Sequence, residues 1–208
     1  SAAEFIYDEA KIPPYALPDV LVCSDGTKIS NGDAWKNKRR PELVKLFETE
    51  VYGRMHRRSE KTSFEIASVD KNAMGGKATR KEIVAYLLGA KDGPKMRILM
   101  YVPNETKKPV PAFVGFNFQG NHTVSKDPGI TLAEQWLAEG KDKVMIRKTA
   151  GEETRGAQEV RWSVDLLIGR GYALATAYYG DLEPDFADGW KSGLRAALST
   201  DGANTQFA

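Results

Sequence analysis

Between Val110 and His122 a short apolar run, Val110-Pro111-Ala112-Phe113-Val114-Gly115-Phe116, passes directly into Asn117-Phe118-Gln119-Gly120-Asn121-His122. A continuous apolar stretch of this length, closed by turn residues, reads as a strand buried on both faces. We therefore expect Pro111 to Asn117 to be an inner strand of a sheet. The amide, glycine and imidazole groups behind it place a polar turn at the strand's carboxyl end, where ligand sites form in α/β sheets.

The rest of the chain is read around this strand. Residues 1–35 are rich in turn signals, among them Ile12-Pro13-Pro14-Tyr15, Ser24-Asp25-Gly26 and Asn31-Gly32-Asp33, and read as a surface arm. Pro41 opens a short helix to Val51 with Leu43, Val44, Leu46 and Phe47 as its apolar stripe. Ser63 to Val69, Lys81 to Leu88 and Met96 to Val102 are extended, the last two separated by Gly89-Ala90-Lys91-Asp92-Gly93-Pro94, and predict an antiparallel meander. Thr131 to Ala138 carries Leu132, Gln135 and Trp136 at helical spacing and is expected to be helical. Residues 139–158 are polar and glycine-containing, as a surface insertion would be. Val160, Val164, Leu167 and Ile168 predict one amphipathic helix from Glu159 to Arg170, stopped by Gly171. Tyr172 to Tyr179 is a second buried strand, parallel to and beside the first. Pro184 to Leu198 supplies a further helix.

Composition narrows the function classes. The 208 residues carry a net charge of +2 and 28% charged side chains, which gives no footprint for nucleic acid. The densest basic stretch, Arg54-Met55-His56-Arg57-Arg58, has no interleaved aromatics and reads as a solvated surface. The single cysteine, Cys23, rules out an intrachain disulfide. His56 and His122 alone are too few for a histidine metal site. No apolar run approaches the ~20 residues of a membrane-spanning helix, so neither nucleic acid nor membrane is an expected partner. The start at Ser1 rather than Met fits prior removal of a leader or tag.

The polar turn admits two readings. Asn117, Phe118, Gln119, Gly120 and Asn121 either shape a pocket and offer a backbone donor, or simply make a turn. His122 either lines that pocket or, as loop histidines more often do, hydrogen-bonds local backbone. Asp181 and Asp185, beyond the second strand, border the same crevice or cap the next helix, capping being favoured. A serine nucleophile would sit in Gly-x-Ser-x-Gly between strand and helix, and no such motif occurs. Ser24 lies in the arm, and Ser163 and Ser192 fall in helical contexts. Trp162 belongs to the core.

Several segments carry a family resemblance. They are Tyr7-Asp8-Glu9-Ala10, Pro13-Pro14-Tyr15, Arg39-Arg40-Pro41-Glu42-Leu43, Val51-Tyr52-Gly53-Arg54 and Gly75-Gly76-Lys77-Ala78-Thr79-Arg80-Lys81-Glu82. Further on come Asn117 to Thr123, Arg161-Trp162, Arg170-Gly171-Tyr172-Ala173 and Ala175-Thr176-Ala177-Tyr178-Tyr179-Gly180-Asp181. Together and in order they resemble the N-terminal portion of bacterial glucuronoyl esterases, carbohydrate esterase family fifteen, some relatives of which are labelled acetyl xylan esterases.

The resemblance implies one α/β-hydrolase domain, a three-layer αβα sandwich whose antiparallel meander leads into parallel strands, with residues 1–208 as its N-terminal part. It implies a secreted or periplasmic serine hydrolase of plant cell-wall polysaccharide, cleaving esters between glucuronoxylan and lignin without metal or organic cofactor. In such enzymes the loop after the equivalent strand gives a backbone N–H to the oxyanion hole, which would make Asn117 to His122 and Asp181 pocket-lining. The nucleophile, acid and histidine would lie downstream, in a C-terminal half that is the chain's expected partner. The 208 residues alone are then expected to be inactive and poorly stable, with the last strand presenting an unpaired edge. A xylan acetyl esterase and a non-catalytic carbohydrate-binding or scaffold protein are the alternatives.

Overall fold

The computed structural model describes residues 6–53, 60–106, 108–139 and 144–199. His56, the arginines around it and the tail from Asp201 lie outside the described residues. The chain divides into two compact units, Ser1–Arg57 and Arg58–Ala208.

In the first unit the helix begins earlier than Pro41. Asn31 caps it by accepting the Ala34 N–H at 2.8 Å, and α1 (Gly32–Ala34) runs through a π turn (Trp35–Arg39) into α2 (Arg40–Glu50). Pro41 has no N–H and its ring would strike a carbonyl one turn back, and the wider turn just before it accommodates that defect. The arm is held to this helix. Buried Arg39 donates from Nε to the Val20 carbonyl at 2.9 Å and pairs with Glu42, which also accepts the Ser24 N–H.

The second unit is built on a five-stranded sheet: β1 (Ser63–Ala73), β2 (Ala78–Tyr86), β3 (Lys95–Pro103), β4 (Ala112–Asn117) and β7 (Ala173–Tyr178), in the order β1-β2-β3-β7-β4. β1, β2 and β3 form the expected meander, β7 is antiparallel to β3, and β4 and β7 are the expected parallel pair. The meander turns at its glycines: Gly75 and Gly76 both have positive φ between β1 and β2.

The inner strand is β7, not β4. Every residue of β7 is buried. Among the described residues β4 is paired on one side only, with Phe113, Val114 and Phe116 exposed at 53, 82 and 51%. An apolar run reports a strand's composition but not its rank in the sheet, and so cannot separate a central strand from one with an open edge. Among the described residues the unpaired edges therefore belong to β1 and β4 rather than to the last strand.

Two further expectations are corrected. Residues 131–138 do not form a helix: Glu134–Glu139 is β5, paired antiparallel with β6 (Val144–Thr149) in a separate hairpin. Glu, Gln, Leu and Ala favour helix locally, but the β-branched Val144, Ile146 and Thr149 favour strand, and pairing prevails over local propensity. The segment 159–170 is two helices, α3 (Glu159–Trp162) and α4 (Val164–Gly169), because Ser163 takes φ 43° between them. The break leaves Val160 exposed while Val164 and Ile168 stay buried. Gly171, at φ 78°, ends α4 as expected. Its N–H reaches the Ile168 carbonyl and that of Tyr172 reaches Leu167, closing the helix end. Helix α5 (Leu194–Ser199) is shorter than the predicted 184–198 segment.

The core lies between α4 and the sheet, where Leu99, Tyr101, Val124, Ile130, Val164, Ile168 and Leu174 pack together and Trp162 leans on them from the side. Beneath the loop after β4, Arg80 pairs with Asp127, whose carboxylate also accepts the Tyr101 hydroxyl at 3.0 Å and the Gly129 N–H at 2.9 Å. A Cβ at Gly129 would overlap the Arg80 guanidinium, so a larger residue there would have to push Arg80 out of its place beside Asp127. Glu82 accepts the N–H and hydroxyl of Thr131 and the Ser68 hydroxyl. These buried polar residues fasten the long loop after β4 to the meander.

Candidate active-site turn

β4 and β7 end together, Asn117 opposite Tyr178. Asn117 organises the turn beyond the strand. Its Nδ2 donates to Asn121 Oδ1 at 2.7 Å and Thr176 Oγ1 at 3.2 Å, and its Oδ1 accepts the Gly120 N–H at 2.8 Å. One buried amide thus ties the turn to itself and to the neighbouring strand. Gly120 has φ 94°, and a Cβ there would stand 2.5 Å from the Ala133 Cβ and 2.9 Å from the His122 ring. Asn121 donates to the Arg97 carbonyl at 2.9 Å, while Asp181 accepts the Arg97 N–H at 2.9 Å. The two side chains continue the sheet's hydrogen bonding one residue past its last pair. Burial pushes the Asp181 carboxyl above its ordinary value.

His122 is fully buried, with the local role that loop histidines usually have. Its Nδ1 accepts the Ala133 N–H at 3.3 Å and its Nε2 meets Thr154 Oγ1 at 2.8 Å, while Thr154 donates onward to the Gly151 carbonyl. The set is consistent only with a neutral ring protonated on Nε2. Burial, with Arg155 nearby, lowers its pKa. A lowered folded pKa means that the unfolded chain takes up the proton first, so this contribution is complete above about pH 6.5 and is lost as pH falls. We expect His122→Gln, which can still accept and donate, to flatten the decline in melting temperature between about pH 6.5 and 5. An unchanged profile in that window would show that His122 does not drive it.

A cleft of about 260 Å³ opens beside the turn. Asn117, Phe118 and Gln119 line it, joined by Gln158, Arg161 and Trp162. Gly120, Asn121, His122 and Asp181 do not line it. They buttress the turn from behind. Phe118 packs tilted against Tyr179 with ring centroids 5.0 Å apart, and burial with the Asp185 carboxylate nearby raises the pKa of the Tyr179 hydroxyl. Asp181 therefore has a partner other than a helix cap. Sequence reasoning does not find Gln158 and Arg161 as cleft residues, because Gln158 closes a polar stretch with no pattern of its own and Arg161 is a polar position of the predicted amphipathic helix, where nothing local marks a cleft. Among the described residues no group of three His, Cys, Asp or Glu side chains could hold a metal ion, and no helix is long and apolar enough to cross a membrane.

A mixed sheet whose parallel pair ends in a tight polar turn beside a cleft is the architecture of an α/β-hydrolase, and this chain folds as part of one. In sequence and fold it is similar to CE15 carbohydrate esterases. A glucuronoyl esterase from Solibacter usitatus is 43% identical with a TM-score of 0.85, over 92% of this chain and 47% of that one. A structure described as a promiscuous CE15 esterase from the marine bacterial metagenome is 37% identical with a TM-score of 0.78, over 97% of this chain and 50% of that one. Carbohydrate esterase MZ0003, from an unknown prokaryotic organism, is 41% identical over 182 residues, 88% of this chain and 42% of its own length. No protein-family model matches the chain. The chain thus spans about half the length of these relatives.

Proposed function

We propose that this chain forms the N-terminal, oxyanion-side portion of a secreted or periplasmic serine esterase that degrades lignocellulose by cleaving glucuronic acid esters between glucuronoxylan and lignin. The observation that carries the reading is the Asn117–Thr123 turn, held rigid at the end of a parallel strand pair in a fold shared at 43% identity with a glucuronoyl esterase. In acyl transfer a serine attacks the ester carbonyl, its proton passes to a histidine, and negative charge develops on the carbonyl oxygen before the alcohol leaves. The serine, histidine and acid belong to the portion of the enzyme outside this chain. The role of this chain is to hold a backbone donor of the turn toward that oxygen, with Phe118, Gln119 and Arg161 forming one wall of the cleft. Such donors are effective because they are fixed before charge appears.

The description of the marine relative as promiscuous favours a second reading, acetyl ester hydrolysis on xylan by the same machinery. The full-length protein should be assayed on benzyl and methyl glucuronates against acetate esters. A kcat/KM about 100-fold higher on glucuronates is expected, which requires discrimination in the transition state. Comparable or better rates on acetates would favour the acetyl reading, and no hydrolysis of either would leave a carbohydrate-binding role.

A further inference from the structure

Gln119, at the tip of the turn, is held by two side chains from other parts of the chain. Its carbonyl oxygen accepts from Gln135 Nε2 on β5 at 2.5 Å, and its own Oε1 accepts from Gln158 Nε2 at 3.0 Å. The first contact has only one possible polarity, since a carbonyl can only accept. A peptide group is planar, so fixing the Gln119 carbonyl also fixes the Gly120 N–H on its opposite side. That N–H is the group bound by Asn117 Oδ1. The 119–120 peptide is therefore gripped at both ends, from the core by Asn117 and from outside by the β5–β6 hairpin. The hairpin is itself anchored: Trp136 packs on Phe186 with ring centroids 5.5 Å apart.

We propose that the β5–β6 hairpin works as a clamp on the turn and that Gln135 is a positioning residue for ester hydrolysis, orienting the Gln119–Gly120 peptide and the donors beside it. The proposal rests on the reading of the turn as the oxyanion side of an esterase. The bond lies at the exposed surface, where a single hydrogen bond contributes little to folding. Its geometric consequence falls where a displacement of about 1 Å costs about 100-fold in rate. Stability and rate are thus expected to respond to this residue very differently.

The test uses Gln135→Leu and Gln135→Glu in the full-length protein. For Gln135→Leu, kcat on a glucuronate ester should fall about 10- to 100-fold with KM within about threefold, because the donors act on charge formed in the transition state. The melting temperature should move by no more than about 2 °C. In Gln135→Glu a carboxylate faces the carbonyl at neutral pH, whereas the protonated acid can donate. Its kcat relative to the parent should therefore rise as pH drops from about 7 to 4.5. Hydrogen exchange in peptides covering residues 117–123 should be about fivefold faster in Gln135→Leu. A Gln135→Leu enzyme within twofold of the parent in kcat, or with unchanged exchange, overturns the clamp. A parent that hydrolyses neither glucuronates nor acetates overturns the esterase reading instead, and the exchange measurement then decides the clamp by itself.

Discussion

Gly120→Ala should abolish most activity and destabilise the protein by about 2–6 kcal/mol, the sum of a backbone term and a packing term. The backbone term arises because φ 94° with ψ 150° is a conformation available in practice only to glycine. The packing term arises because the new methyl would meet the Ala133 Cβ at 2.5 Å and the His122 ring at 2.9 Å. Neither neighbour can yield freely, since Ala133 and His122 are hydrogen-bonded to each other and His122 also to Thr154. The turn must lift instead, and Asn117 then loses the Gly120 N–H that sets the peptide plane. We expect kcat in the full-length enzyme to fall at least about 100-fold, the usual scale for disabling an oxyanion donor. Adding Ala133→Gly should recover part of the stability by removing one contact, while leaving the φ strain. A Gly120→Ala enzyme as stable and active as its parent would show that the turn tolerates rearrangement.

Arg80→Met should have the largest effect on stability away from the turn. Asp127 keeps its bonds from Tyr101 and Gly129 but loses the cation that balances its charge, and breaking a buried pair in this way costs about 3–5 kcal/mol. Arg80 Nε is buried without a partner among the described residues, so the pair with Asp127 is the main compensation for placing the guanidinium there. The pH dependence has its origin in the same contacts. Burial pushes the Asp127 carboxyl up, but the Gly129 N–H, the Arg80 guanidinium and the Tyr101 hydroxyl outweigh it and hold the pKa below its ordinary value. A depressed carboxylate stabilises fully above the unfolded value of about 3.9, and its contribution is lost as pH falls through the folded value. In Arg80→Met burial remains while the cation is gone, so acid unfolding should begin at higher pH than in the parent. Urea midpoints measured from pH 7 to 3 check both statements. A midpoint unchanged at pH 7 would mean that the pair contributes nothing net.

The residues announce the sheet strands more clearly than their arrangement. Alternation in Ser63 to Val69 and the glycines between neighbouring runs mark the meander, and Gly171 marks the end of α4, because each acts through local backbone geometry. The hairpin is illegible in the sequence because Glu134-Gln135-Trp136-Leu137-Ala138-Glu139 has helical preferences and becomes a strand only through its partner β6. The break at Ser163 and the open side of β4 likewise depend on tertiary surroundings. The turn is visible as a run of Asn, Gln and Gly, with Asn117 and Gly120 among its material. Its tethers are not, since Gln135 and Gln158 lie 16 and 39 positions from Gln119 and no local pattern links them.

The strand order also dictates when the cleft can come into being during synthesis. β1, β2 and β3 are joined by short turns and can pair as soon as they leave the ribosome. β4 must wait for β7, which lies about sixty residues later and has to enter between β3 and β4. Pairings between distant segments close slowly because the intervening chain must be ordered first. Asn117 binds Thr176 on that late strand, so the turn cannot acquire its final form until the intervening hairpin and helices have emerged. The nascent meander thus waits with the edge of β3 vacant, and an exposed strand edge of this kind is prone to wrong pairings until β7 arrives.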